Sequence, residues 1–181
     1  EGNVINADQY DNRDFSSLLV KNVIASIPDF SNLIDKEHTS IPNRSIALFT
    51  LSAIHRGTIA LFKGITFSSE EQLSTAVRYW TAIYNNMPEW QKVASKEMKA
   101  STVRKDSLSP LSITLRALGQ IGNTLLTQYP NTWENKLNAL NNIVWLKTNP
   151  LWQNGIVVNG SVQLSHATQK QMVHILKNII I

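Results

Sequence analysis

The amino-acid sequence predicts a mainly α-helical protein with one small β-hairpin before its last helix. Apolar residues recur at helical intervals through most of the 181 residues, and capping residues, glycine or proline separate these segments. One segment, Ser45–Gly64, is apolar on nearly every side, which indicates a central helix. Near the end of the chain, Asn159-Gly160 separates two short β-prone runs, a pattern typical of a type I′ turn.

The helices of the first half are predicted from their boundary residues. Serine is a good N-cap, proline stops one helix and opens another, and glycine follows the central helix. The predicted segments are a helix over Ser16–Ile27 stopped by Pro28, a loop over residues 28–43, a central helix over Ile46–Lys63 between Ser45 and Gly64, a helix opened by a Ser68 or Ser69 capping box with Glu71 or Gln72, and a shorter helix from Pro88.

The second half shows the same signals. The predicted segments are a long helix ended by Pro130, a helix capped by Asn131 or Thr132, the hairpin at Asn159-Gly160, and a last helix with Ser165 as its N-cap. No repeat, low-complexity tract or interdomain linker interrupts the chain. Residues 1–181 are therefore predicted to form a single helical domain. Because the chain has no initiator methionine, we expect it to be a piece of a longer protein.

Composition excludes several classes of site. The chain has no cysteine, which removes disulfides, thiolate metal sites, iron–sulfur clusters and a cysteine nucleophile, and favours a reducing compartment. The polar N-terminus does not resemble a signal peptide. His55 and Arg56 interrupt the most apolar run, so no transmembrane segment is predicted. We expect a protein of the cytoplasm that does not contact a membrane.

Catalysis has no sequence support. There is no nucleophile-elbow motif, no Walker-type glycine loop and no carboxylate cluster. The four histidines, His38, His55, His166 and His174, lack the close spacing that metal ligands on one element need. We expect no enzyme activity, no catalytic residue, no metal and no cofactor.

Basic residues are concentrated in one segment of a chain whose net charge is +4. Lys92, Lys96 and Lys99 are spaced to share one helical face, with Arg104 and Lys105 in the turn beyond. Two interpretations stay open: a solvated helix, or a surface that contacts the DNA backbone. Nearby acidic residues dilute the cluster.

The central helix carries a narrow polar stripe. At about 100° per residue, Ser45, Ser52, Arg56 and Lys63 fall close together on one side. This stripe is either solvated or faces phosphates. His55 lies at its edge, where a packed, hydrogen-bonded histidine is favoured over a catalyst.

The GQIG motif, Gly119 to Gly122, looks like the GxxG loop of KH domains. The apolar helical stripe continues through it, and the flanking strands of a KH domain are missing. Two glycines one turn apart instead predict the close approach of another helix.

A set of ordered motifs resembles one protein family. The motifs SIPNRSIALFTLSAIHRGTIALF, NMPEW, ALGQIGNTLL and NPLWQNGIVVNGSVQLS, with YDNRD at Tyr10 to Asp14 ahead of them, resemble the C-terminal half of the DndB family of DNA sulfur modification proteins. The resemblance covers nearly the whole chain. The family signature DGQHR is absent, so no functional residue is carried over from it.

The resemblance implies a regulatory role in bacterial gene clusters that replace a DNA backbone oxygen with sulfur, giving phosphorothioate DNA. We therefore expect the C-terminal portion of a DNA-binding transcriptional regulator that contacts double-stranded DNA at the promoter of its own cluster. The candidate contact residues are Lys92, Lys96, Lys99, Arg104, Lys105, Arg56 and Lys63. The alternative is a dimerisation or protein-interaction module that uses exposed apolar groups near the C-terminal ILKNIII, with DNA contacted by the missing N-terminal half.

Overall fold

The computed structural model describes residues 7–181, with side chains from residue 16 onward. Helices dominate this part of the chain, and the two sheets have two short strands each. The elements are α1 Ala7–Ala25, α2 Pro28–Ser31, β1 Ile34–Asp35, β2 Phe49–Thr50, α3 Leu51–Phe62, α4 Ser69–Asn85, α5 Pro88–Ala94, α6 Ala100–Asp106, α7 Ser112–Gln128, α8 Trp133–Lys136, β3 Val157–Val158, β4 Ser161–Val162 and α9 His166–Ile180, with 3-10 helices at Leu137–Asn142 and Pro150–Trp152. The predicted mainly helical class is confirmed.

Helix α3 lies at the centre of the fold and packs along α7, with further contacts to α1, α4 and β2. The two helices approach so closely that their backbones touch. A Cβ atom on Gly57 would lie 2.8 Å from the carbonyl oxygen of Leu115, and one on Gly119 would overlap the backbone of Gly57. The prediction that the GQIG glycines admit a neighbouring helix is confirmed. The motif lies inside α7, so it is not a nucleotide-clamping loop.

Two aromatic residues of α4 fill the space beside this crossing. Trp80 is fully buried, and its Nε1 donates to Thr58 Oγ1 at 3.0 Å. Thr58 donates in turn to the carbonyl oxygen of Ile54 at 2.9 Å. The buried Tyr79 hydroxyl donates to the carbonyl oxygen of Leu118 at 2.5 Å, and burial raises the pKa of this phenol. These hydrogen bonds satisfy polar atoms that would otherwise destabilise the core.

The central helix begins later than predicted. Ser45 was expected to be the N-cap of a helix over Ile46–Lys63, but α3 begins at Leu51. Its N-cap is Thr50, whose side chain accepts a hydrogen bond from the Ala53 N–H at 3.3 Å. The predicted N-terminus is therefore wrong, while the end of the helix before Gly64 agrees with the prediction.

Strand pairing explains the late start of α3. The N–H groups of Leu48 and Phe49 donate to the carbonyl oxygen of Leu33 at 2.7 and 3.1 Å, and β1 pairs in parallel with β2. Ile46, the first residue of the predicted central helix, precedes this pairing and is 71% exposed, so it lies outside both the helix and the core. The segment predicted as a loop over residues 28–43 contains both α2 and β1.

Several other caps and turns follow the sequence signals, with two exceptions. Helix α1 spans Ala7–Ala25 and not Ser16–Ile27, and Thr132 precedes α8 without a side-chain capping bond. Ser68 and Glu71 form a reciprocal capping box at the start of α4, with N–H to oxygen distances of 3.2 and 2.8 Å. Pro88 opens α5. Asn159 and Gly160 both have positive φ, 51° and 76°, which is the requirement of a type I′ turn. The predicted hairpin is confirmed.

The C-terminal isoleucines do not form an exposed apolar surface. Leu176 and Ile180 of α9 are buried, and Ile175, Ile179 and Ile181 are half-buried against the core. The expectation that ILKNIII offers an interaction surface is wrong, because α9 packs its apolar side on α7 and on the 3-10 helix Leu137–Asn142. Within residues 7–181, no helix combines the length and hydropathy needed to cross a bilayer.

We expect Gly119→Ala to destabilise the protein, because the new methyl group meets backbone atoms of Gly57 that cannot rotate away. Overpacking typically costs about 1–3 kcal/mol, and the better helix propensity of alanine returns about 1 kcal/mol. Because the clash is with backbone, we expect the upper half of the difference, a net loss of about 1–2 kcal/mol in the free energy of unfolding measured by urea denaturation. The control is Thr127→Ala at an exposed position of the same helix. Equal stability of the two variants would contradict the proposed backbone contact.

Candidate nucleic-acid interface

The predicted row of lysines on one helical face does not form. Lys92 lies in the last turn of α5, which ends at Ala94. Lys96 lies beyond that end with φ 65°, and Lys99 is the N-cap of α6. All three side chains are exposed. The predicted helical face is therefore wrong, although the lysines remain on the surface.

The end of α5 depends on the left-handed conformation of Lys96. Its N–H donates to the carbonyl oxygen of Val93 at 3.0 Å, and the Met98 N–H donates to that of Lys92 at 3.0 Å. Glycine or asparagine usually occupies such a position after a helix. Because lysine gives no such signal, the sequence did not predict this helix end.

Lys96 and Lys99 meet a third cation, Arg44, around one groove of about 700 Å³. One wall comes from residues 43–46 and the other from residues 93–101. Its lining includes these three cations and no acidic side chain. We call it the lysine groove. Arg44 is far along the chain from the lysines, so the spacing of basic residues did not indicate it.

The acidic residues near the lysines do not line the lysine groove, although they are close to it in the sequence. Glu89 is half-buried and accepts hydrogen bonds from the hydroxyls of Ser107, at 2.6 Å, and Ser109. Ser109 also accepts from Trp90 Nε1 at 2.9 Å. This network ties α5 to the connection between α6 and α7. Glu97 lies outside the groove lining and accepts a hydrogen bond from Ser95 Oγ at 2.8 Å.

Arg104 serves the fold and lies inside α6, not in a turn. Its guanidinium donates to the carbonyl oxygens of Asn43, Ser45 and Pro42 at 2.9, 3.0 and 3.2 Å, and to that of Ala47. Partial burial lowers the pKa of this guanidinium. Arg104 therefore holds one wall of the lysine groove in place, and both of its Nη nitrogens are engaged in these bonds.

The remaining predicted contact residues are dispersed. Lys105 is exposed and lines another open groove, of about 820 Å³, together with Asp106 and Lys147. Lys63 is exposed just beyond the end of α3. Arg56 is exposed on α3 and lines a third groove with Arg116. The structure thus brings Lys96 and Lys99 together and separates them from Lys105 and Arg56.

His55 is a packed residue at the edge of the polar stripe. It is half-buried, and its Nε2 lies 3.0 Å from Ser16 Oγ. Burial, with a smaller contribution from Arg56, lowers the pKa of His55. The contact joins α1 to α3, which agrees with the structural interpretation of this histidine. Among the residues whose side chains are described, no three histidine, aspartate or glutamate residues meet to form a metal site.

The protein is thus mainly helical, and two of its surface grooves are lined by lysine or arginine without an acidic residue. The model of the DndB family, described as DNA-sulfur modification-associated, matches residues 6–181. The chain therefore belongs to the DndB family and is associated with DNA sulfur modification, as the ordered motifs indicated. Searches of curated proteins and of solved structures find no significant match.

We expect Arg104→Gln to lower the free energy of unfolding by about 2 kcal/mol, because several backbone carbonyls lose a charged donor. The matched control is Lys105→Gln at the next position, whose exposed side chain should change stability by less than about 0.5 kcal/mol. Urea denaturation measures both variants. Similar losses for the two would show that Arg104 does not hold the 42–47 segment.

The lowered pKa of His55 predicts a pH-dependent stability. The unfolded state binds a proton at higher pH than the folded state, so stability should fall as pH drops below about 6.5, the ordinary histidine value. His55→Gln should remove this part of the dependence. The free energy of unfolding of both proteins, measured by denaturation between pH 5 and 8, is plotted against pH. The two plots should run parallel above about pH 6.5 and converge or cross below it. Parallel curves over the whole range would contradict the assignment.

Proposed function

We propose that this chain is a DNA-contacting part of a transcriptional regulator of the DNA phosphorothioation system, and that the lysine groove holds the DNA backbone. The observation that carries the proposal is the convergence of Arg44, Lys96 and Lys99 on one groove without an acidic lining residue. The family match supplies the association with DNA sulfur modification.

The electrostatics of the groove suit a polyanion. Lysine and arginine neutralise phosphates and release the counterions condensed on DNA, which gives strong, salt-dependent binding. Arg44 adds a fork of N–H donors that fits a phosphate. None of these three side chains makes a hydrogen bond or ion pair with the residues whose side chains are described. Their charges are therefore available to a ligand.

The proposed contacts are to the backbone and not to base edges. Besides its cations, the groove is lined by small and aliphatic side chains and by Asn32 and Asn43, with no carboxylate. Three cations on one groove suit phosphate oxygens, which carry no sequence information. We therefore assign the groove to affinity and positioning. Lys92, exposed on α5 next to the lining residue Val93, adds a further positive charge near the groove.

Binding to duplex DNA should weaken when the lysine groove loses its charges. The test measures fluorescence anisotropy of a promoter duplex from the gene cluster and of a scrambled duplex, across a salt series. The triple variant Arg44→Gln, Lys96→Gln and Lys99→Gln should bind more weakly, and its salt slope should be shallower by about 0.9 for each lost phosphate contact. The wild-type chain should show the steeper slope with both duplexes.

The control neutralises two exposed lysines away from the groove, Lys21 and Lys170. This variant also loses charge, so an effect of net charge alone would appear in it as well. Equal slopes for the wild type and the triple variant would exclude the lysine groove as the DNA surface. No binding of either duplex at low salt would reject DNA contact by this chain altogether.

The second candidate is a protein-interaction module of the modification machinery. It is favoured by exposed aliphatic side chains concentrated between residues 144 and 158, and these are Val144, Leu146, Leu151 and Val158. Exposed apolar residues that cluster on a surface mark interaction sites more often than isolated ones do. Absence of DNA binding in the experiment above would leave this candidate as the better supported function.

A further inference from the structure

A second cationic groove, separate from the lysine groove, lies where α3, α7 and the start of α9 meet. It has a volume of about 400 Å³ and is lined by Arg56, Arg116 and His166 together with polar and aliphatic residues. Its lining includes no acidic side chain. We call it the arginine groove. Its size falls in the range of about 300–1,000 Å³ that small-molecule sites occupy.

The two arginines keep their donors free. Both side chains are exposed, and neither makes a hydrogen bond or an ion pair with any residue whose side chain is described. Other arginines of the fold are engaged: Arg78 donates to Glu134 at 2.9 Å, and Arg104 donates to backbone carbonyls. Neither arginine therefore stabilises the described part of the fold through a hydrogen bond or an ion pair.

The groove is built on rigid elements. Arg56 lies on α3 and Arg116 lies on α7, the two helices whose backbones are in contact. At the base of the groove, the buried Gln169 of α9 donates through Nε2 to the Ile113 carbonyl and to Gln120 Oε1, both at 3.2 Å. These contacts fix α9 against α7. Because both helices are held in place, an anion would have to order only the two arginine side chains and not the backbone that carries them.

The arrangement of donors favours a tetrahedral anion over a carboxylate. A planar carboxylate is satisfied by one guanidinium fork, whereas a phosphate accepts from several directions at once. Here the forks come from two helices, and His166 stands at the start of a third. Ser112, in the first turn of α7, also lines the groove. The N-cap of that helix, Leu111, makes no side-chain capping bond.

We propose that the arginine groove binds the phosphate group of a small phosphomonoester. The aliphatic side chain of Leu164 is 83% exposed beside the arginines and provides apolar surface for the rest of such a ligand. This site does not share a lining residue with the lysine groove. The two grooves can therefore be tested by separate substitutions.

The test is calorimetric titration of the full chain with inorganic phosphate and with adenosine monophosphate, at constant ionic strength set with chloride. Arg56→Gln and Arg116→Gln should each weaken binding about tenfold, the effect of losing one charge-assisted contact. Lys21→Gln is the control, because it also removes one exposed positive charge and lies in neither groove. It should bind both probes like the wild type.

Conservative variants separate the site from general effects on the fold. Arg56→Lys and Arg116→Lys keep the charge but lose the fork, so they should bind with intermediate affinity. Tryptophan fluorescence and circular dichroism should show that each variant is folded. The proposal would be overturned by wild-type affinity in both glutamine variants, or by heats that chloride reproduces.

Two further outcomes would identify another ligand. Binding of succinate as tightly as phosphate would assign the groove to carboxylates and reject a phosphate site. Loss of duplex binding in Arg56→Gln and Arg116→Gln, without any binding of the two phosphate probes, would assign the arginines to the DNA backbone. Either result contradicts the proposal, and neither depends on whether the lysine groove binds DNA.

Discussion

The backbone contact between α3 and α7 is the constraint on which the rest of the structure depends. Only residues without a Cβ allow the carbonyl oxygens and α-carbons of two helices to meet, as they do at Gly57 and Gly119. Interiors pack as densely as organic crystals, so a fixed distance at one crossing determines the space left beside it. Tyr79 and Trp80 occupy that space, and α9 lies along α7 on another side. The positions of Arg56 and Arg116 follow from the same crossing.

Charge in this protein has two separate uses. Arg104 and Glu89 face inward and satisfy carbonyl and hydroxyl groups that would otherwise be unpaired, because such groups are costly when they are withdrawn from water. Lys96 and Arg44 face solvent around a groove. The net charge of +4 therefore understates how positive the lysine groove is and says nothing of where it lies. Arg104 joins the two uses, because it holds the segment that carries Arg44.

Local signals predicted much of the fold. The capping box at Ser68, the turn at Asn159-Gly160 and the close approach at Gly119 each depend on residues that are neighbours in the chain, and each is found in the structure. The helix end at Lys96 was missed because lysine gives no local signal for a left-handed residue. The other errors involve partners distant in sequence. The pairing of β1 with β2 shortened the central helix, and the two grooves join Arg44 to Lys96 and Arg56 to Arg116. Periodicity contains no information about such pairs, so a single sequence predicts the elements better than the site.

The left-handed backbone of Lys96 has a consequence for how this surface can change. A residue with a side chain is less stable than glycine in this conformation by roughly 1 kcal/mol. At this position, the residue that best stabilises the helix end is therefore not the residue that supplies a cation. Substitutions that relax the turn, to glycine or asparagine, also remove a charge from the groove. Variants selected only for heat resistance would therefore drift toward a more neutral groove. A sequence that keeps lysine here retains charge at a place where the backbone alone would favour its loss.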